Sequence, residues 1–239
     1  EVGETDDNRL FIAMELLSGS PLDELLASKP LDIDAALELA VQLADALTAA
    51  HERGIIHRDI KPANIMIKRS GLAKIIDMGS AFATDDIPPS RSCTPSYSAP
   101  EVLQGDQATP QSDLASLGYV LVELLSGQPP FAGIKQFEQL VEAKHSLAER
   151  LNEVLPEQVT SNELLMGFCQ RLVARQPEDR FQSAEAAELL GDGAAEFQRQ
   201  QVLNDDRSEY DHEIHLLLEE LKEVEEQEGA ATAGESVPE

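Results

Sequence analysis

The sequence predicts an α+β chain in which a few short strands lead into a mainly helical body, and three patterns carry that expectation. Leu10 to Met14 is a short apolar run, and Ile65-Met66-Ile67 and Ile75-Ile76 flank the turn residues Lys68 to Gly71, which reads as a hairpin. Leu37, Val41, Ala44, Leu47 and His51 recur at three and four residues, the spacing of one helix face. Leu114, Leu117, Val120, Leu121, Leu124 and Leu125 leave so little polar face that their helix must be a core pillar.

In chain order, the polar stretch Glu4 to Arg9 is a turn before the first strand, and Ser18-Gly19 breaks the chain after that strand. Leu22 to Leu26 starts a short helix. Asp32 can cap the next one by accepting from its free first-turn amides, and Gly54 can close it in the left-handed conformation. That helix delivers the chain into Ile55-Ile56-His57. Gly79 to Thr94 is rich in Ser, Thr, Asp and Pro, as an irregular segment requires. Ser112-Asp113 opens the pillar helix, which runs through Ser126 to Gly127, and Pro129-Pro130-Phe131 stops the pattern. Further helices are expected near Ile134 to Lys144, Asn162 to Arg175 and Ser183 to Leu190. After Gly193 comes an acidic extension, striped by Ile214, Leu217, Leu218, Leu221 and Val224 over 205–228, and Gly229 to Glu239 has the composition of a disordered tail.

At 239 residues, 42% hydrophobic and 26% charged, the chain can bury one substantial core and carry an appendage. Its 45 acidic and 18 basic residues give a formal charge of -27, which argues against nucleic acid or an anionic membrane as partner. Cys93 and Cys169 are too few for a disulfide framework or a CxxC metal site, so the expected compartment is a reducing cytoplasm. No apolar run approaches the roughly 18 residues that span a bilayer, and no signal peptide pattern opens the chain.

The chemistry concentrates in His57-Arg58-Asp59-Ile60-Lys61-Pro62-Ala63-Asn64. One short loop, stiffened by Pro62, can aim a carboxylate at a hydroxyl, an ammonium at a phosphate and an amide oxygen at a metal. Asn64 stands at the entry of the expected hairpin and Asp77 of Asp77-Met78-Gly79 at its exit, so two oxygen donors distant in sequence can face one ion. Ala99-Pro100-Glu101 comes next in order.

These ordered motifs resemble the signature of the serine/threonine protein kinase family, most closely its bacterial members, over roughly residues 1 to 190. The resemblance implies a protein-kinase-like fold, with the end of the small lobe and the hinge over 1–20, the helical large lobe over 21–191 and the acidic extension over 192–239. It implies transfer of the terminal phosphoryl group of ATP to Ser/Thr hydroxyls of proteins, with Mg2+. Asp59 then orients the hydroxyl and Lys61 neutralises the transferring phosphate. Thr94 bridges these two, and Asn64 and Asp77 hold the metal. Met14, Glu15, Leu17 and Met66 fall on the adenine pocket. Asp113 resembles the aspartate that anchors the loop's backbone, with an N-cap role as the competing account, and Glu101 and Arg180 resemble an ion pair that ties the substrate segment to the lower helices.

His57 reads as a packed structural histidine. Arg58 beside a carboxylate calls for an anionic partner, expected from phosphorylation of Thr84, Ser90 or Ser92. Met78 stands where the family has Phe, and Cys93 where Gly is usual. The family's Gly-rich strand pair, strand Lys and helix Glu have no counterpart before the hinge. The resemblance thus implies a kinase whose sequence here lacks most of the small lobe and is inactive in that form. The alternatives are a catalytically inactive interaction module, using the 205–228 helix to bind a partner, and a small-molecule phosphotransferase. The latter lacks the Lys61-Pro62 and Ala99-Pro100-Glu101 features.

Overall fold

The computed structural model describes residues 2–5, 7, 9–28, 31–83 and 94–189. β1 (Val2–Glu4) and β2 (Leu10–Ile12) form an antiparallel pair. The expected strand therefore stops at Ile12, leaving Met14 beyond it, and its partner was not foreshadowed by any apolar alternation. β3 (Gly19–Pro21) lies where the sequence shows a chain break. A Cβ on Gly19 would sit 2.0 Å from the Ile67 carbonyl oxygen, so glycine here permits the close approach of two strands rather than ending one.

α1 (Leu22–Ser28) buries Leu22 and Leu25. α2 (Ile33–His51) begins as expected, with Asp32 Oδ1 accepting from the Ala35 amide at 2.7 Å, and Gly54 follows its end with φ 68°. β4 (Ile55–Ile56) leads into the loop from His57 to Lys61 and a 3-10 turn, Pro62–Asn64. β5 (Ile65–Lys68) and β6 (Ala73–Ile75) make the expected hairpin, with Ile65 opposite Ile75. A second 3-10 turn, Met78–Ser80, precedes β7 (Phe82–Ala83), which returns antiparallel to β4. β3 adds to the other edge of β5, giving the order β3-β5-β6 against α1 and α2.

The helical body comprises α3 (Pro100–Gln104), α4 (Pro110–Ser126), α5 (Phe137–Val154), α6 (Glu157–Thr160), α7 (Glu163–Leu172) and α8 (Ala184–Leu189). α4 is the pillar, with Ser112 to Leu125 buried and packed on α2 and α7. It does not start at Ser112-Asp113. Thr109 is the N-cap, in a reciprocal capping box with Ser112, and Pro110 takes the first helical position, where its missing N–H costs nothing. Asp113 is thereby released for another task.

α5 is longer than expected because the stripe of Leu140, Val141, Leu147 and Leu151 continues until Pro156, whereas α7 ends at Leu172, short of Arg175. The fold is thus of the expected α+β class, mostly helical with small antiparallel sheets. Among the described residues no helix is long and apolar enough to cross a membrane. The segment holding Thr84, Ser90, Ser92 and Cys93, and the acidic extension with its 205–228 helix, lie outside the described residues.

The closest packing on the pillar is at Gly118, where an added Cβ would approach Val173 Cγ1 to 2.7 Å and Leu172 Cβ to 2.9 Å. Gly118→Val is expected to lower stability by about 1–3 kcal/mol through overpacking. Urea unfolding measures this, and an unchanged midpoint would mean that α4 and the 172–173 turn do not pack this tightly.

Candidate active site

The site begins with a backbone constraint. Asp113 Oδ2 accepts from the His57 amide at 2.9 Å and from His51 Nε2 at 2.9 Å, while Oδ1 accepts from the Arg58 amide at 2.8 Å. Of the two accounts of Asp113, the structure thus favours the anchor over the N-cap. Arg58 has φ 71°, a left-handed conformation that costs a non-glycine residue about 1–2 kcal/mol. Charge-assisted bonds to Asp113 offset that cost.

His57 is buried, and its Nδ1 accepts from the Asp59 amide at 3.3 Å, so Nε2 carries the proton toward the Ile76 carbonyl at 3.2 Å. The histidine is structural, as the sequence indicates, and it ties the loop to the residue beside Asp77. The Arg58 guanidinium lies 5.3 Å from the centre of the Phe82 ring.

With the loop fixed, its polar side chains converge. Lys61 Nζ donates to Asp59 Oδ2 at 2.7 Å and to Thr94 Oγ1 at 3.0 Å, and the Thr94 hydroxyl donates to Asp59 Oδ1 at 2.6 Å. Asn64 Nδ2 donates to Asp59 Oδ2 and to the Asp59 carbonyl, both at 2.8 Å. Burial alone would push the Asp59 carboxyl up, but Lys61, Thr94 and Asn64 outweigh it and hold the carboxyl below the ordinary aspartate range. Asp59 is therefore ionised at neutral pH. These side chains use three of its roughly four acceptor positions, which leaves room for one incoming hydroxyl.

The Ile76 amide donates to the Asn64 carbonyl at 2.9 Å, and Asp77 is the next residue along the chain. Asp77 is exposed, with φ 63°, and its Oδ1 accepts from the Gly79 amide at 3.0 Å. Asn64 turns its amide nitrogen to Asp59, which leaves the amide oxygen to coordinate a metal ion. An amide oxygen and a carboxylate are hard donors of the kind that suit Mg2+, and no cluster of three or more His, Cys, Asp or Glu that could hold a metal ion occurs among the described residues.

The residues placed on the adenine pocket are more dispersed. Met14 is 81% exposed and Leu17 half-buried, both between β2 and β3. Glu15 pairs through its carboxylate with Lys74, and Met66 stands opposite Lys74 in the β5-β6 ladder. The 14–17 stretch is therefore tied to the same hairpin that carries Asn64 and Asp77.

Below the loop, Arg180 is buried and makes a bidentate pair with Glu101, at 2.7 and 2.9 Å, while also donating to the carbonyls of Ala174, Gln111 and Arg175. Ser112 Oγ adds a bond to Glu101 at 2.9 Å. Two contacts were missed in the sequence: Tyr97 donates to Glu123 of α4 at 2.5 Å, and Lys144 of α5 donates to the Ser96 carbonyl at 2.8 Å. Glu123 and Lys144 are each an ionisable residue inside an apolar helical stripe, and that interruption of periodicity is the available signal. Cys169 is buried, its thiol pushed up to about 12 by burial, which makes it inert.

The model of the protein kinase domain matches residues 2–190. A probable serine/threonine-protein kinase of Corynebacterium efficiens is 32% identical over 206 residues, covering 80% of this chain and 30% of its own length. One of Clostridium perfringens is 32% identical over 200 residues, covering 80% of this chain and 28% of its own. The serine/threonine-protein kinase PknA of Mycobacterium tuberculosis is 42% identical over 128 residues, covering 52% of this chain and 30% of its own. This chain thus spans less than a third of the length of these relatives. The chain belongs to the protein kinase family, in its bacterial serine/threonine type, and the mostly helical fold with small antiparallel sheets is that of a protein kinase.

Burial works against ionisation of Glu101, but the hydrogen bonds and charge of Arg180 prevail and hold its carboxyl below the ordinary range. The stability this confers is complete above the ordinary glutamate value and is lost as the pH falls through the depressed folded value. Glu101→Gln is expected to cost on the order of 3 kcal/mol at pH 7, because Arg180 is left buried with its charge unmatched. The gap between wild type and variant should narrow below about pH 4, as read by denaturant titration across pH. A gap that widens in acid would contradict the assignment.

Proposed function

We propose that this chain carries the site at which a serine/threonine protein kinase transfers the terminal phosphoryl group of ATP to Ser/Thr hydroxyls of proteins. The observation that carries the reading is the Asp59 carboxylate, ionised, bonded by Lys61, Asn64 and Thr94 and set on a loop clamped by Asp113. In this reading 1–20 is the end of the small lobe and the hinge, 21–191 the large lobe and 192–239 an acidic extension.

Phosphoryl transfer passes through a loose transition state, so orientation and charge neutralisation matter more than a strong base. A carboxylate with a depressed pKa is a poor base but a good orienting acceptor. Asp59 aligns the substrate hydroxyl and receives its proton late. Lys61 faces the transferring phosphate from the same side, and Thr94 keeps the two at a fixed separation. Asn64 and Asp77 would hold Mg2+, which when bound neutralises charge on the phosphate oxygens. The backbone at Glu15 to Leu17, with Met14 and Met66, provides the adenine edge.

The test is magnesium-dependent transfer of labelled phosphate from ATP to a protein acceptor by the full-length protein. Asp59→Asn is expected to lower the rate by about 10²–10⁴-fold, and chelation of the metal to abolish it. Equal activity of wild type and Asp59→Asn would remove the function from this site.

A further inference from the structure

Lys144 is the one residue of the α5 stripe whose chemistry does not suit its place. It stands among Leu140, Val141, Leu147 and Leu151, and its relative exposure is 0%. Its Nζ lies 4.0 Å from the centre of the Tyr119 ring on α4 and 4.0 Å from that of Phe131, and the two rings meet edge to face at 5.1 Å. Two ring faces can offset part of the cost of removing an ammonium from water, but a methionine would fill the same space with no such cost. What the ammonium adds is direction. It donates to the carbonyl of Ser96 at 2.8 Å, across from a helix to an exposed turn.

That turn is joined to the candidate active site. The amides of Tyr97 and Ser98 both donate to the Thr94 carbonyl at 3.0 Å, and the Thr94 side chain donates to Asp59. Tyr97 is pegged to Glu123, so the turn is fastened at one point to α4 and at another to α5. Pro95 and Ser96 face outward between these fastenings.

We propose that Lys144 is a positioning residue for the protein substrate. Its aromatic-boxed ammonium holds the Ser96 carbonyl inward and thereby fixes Pro95 to Ser98 as the ledge on which the acceptor polypeptide lies beside Asp59. This inference rests on the kinase reading of the site. Lys144 touches neither the phosphate nor the hydroxyl, so its loss acts on acceptor binding.

In the full-length protein with casein as acceptor, Lys144→Met is expected to raise the KM for casein about tenfold while changing kcat and the KM for ATP less than about twofold. Hydrogen exchange at the Tyr97 and Ser98 amides should quicken about tenfold. Tyr119→Leu, which removes one ring and keeps the ammonium, should give the same split at smaller size, and it carries the test if Lys144→Met does not fold. An unchanged casein KM in both variants overturns the inference. So does a common fall in all kinetic constants that merely tracks lost thermal stability, since that is the mark of a structural lysine. Absence of transfer by wild type would instead refute the kinase reading, and the exchange measurement would still separate that failure from a failure of the Ser96 tether.

Discussion

The arrangement depends on one carboxylate set apart from the Asp59 cluster. Asp113 sits on the most deeply buried helix and catches the His57 and Arg58 amides, one on each oxygen. A left-handed arginine would relax if released, and the direction of Asp59 would turn with it. Clamping that backbone converts the rigidity of the core into a defined orientation at the surface. His51, at the last turn of α2, shares Asp113 Oδ2, so two long helices and the loop meet at a single acidic group.

Residues distant in sequence are brought together through Ile76. His57 bonds Ile76, Asn64 bonds Ile76 on its other side, and Asp77 is the next residue. Loop and hairpin are therefore fastened together at Ile76, the residue before Asp77. On the other side Thr94 joins Asp59, and the turn after it is fastened to α4 and α5. The Glu101–Arg180 pair closes the same assembly from below, with the guanidinium satisfied by three carbonyls as well as by its carboxylate. Such a buried charge is stabilising only when its partners are complete.

Much of this was legible in the residues. Asp32 and Gly54 bound α2 as expected because capping chemistry is local, and the β5-β6 hairpin could be read from alternation around a turn. The group formed by Asp59, Lys61, Asn64 and Thr94 was legible because family motifs preserve spacing. Features that depend on a partner far along the chain were not. Gly19 reads as a break until Ile67 is placed against it, and β1 and β4 are too short to show a pattern before their partner strands are known. Ser112-Asp113 looked like a helix start because both residues are good caps, but Thr109-Pro110 fills that role and Asp113 points to the loop. Lys144 and Glu123 appear from sequence as faults in an apolar stripe, and only the fold shows that each reaches the turn at Ser96 and Tyr97.

The pillar helix, through Asp113, sets the backbone geometry on which the proposed role of Asp59 in phosphoryl transfer depends. The most direct measurement is the rate of magnesium-dependent phosphoryl transfer by Asp113→Asn in the full-length protein, with far-ultraviolet circular dichroism confirming retained secondary structure. An amide offers one acceptor oxygen where two backbone N–H groups wait, so the loop should lose its orientation. The account predicts a fall in kcat of about 100-fold, the scale of a misplacement near 1 Å. A folded variant that transfers phosphate within about threefold of wild type, a loss under 1 kcal/mol, would contradict it.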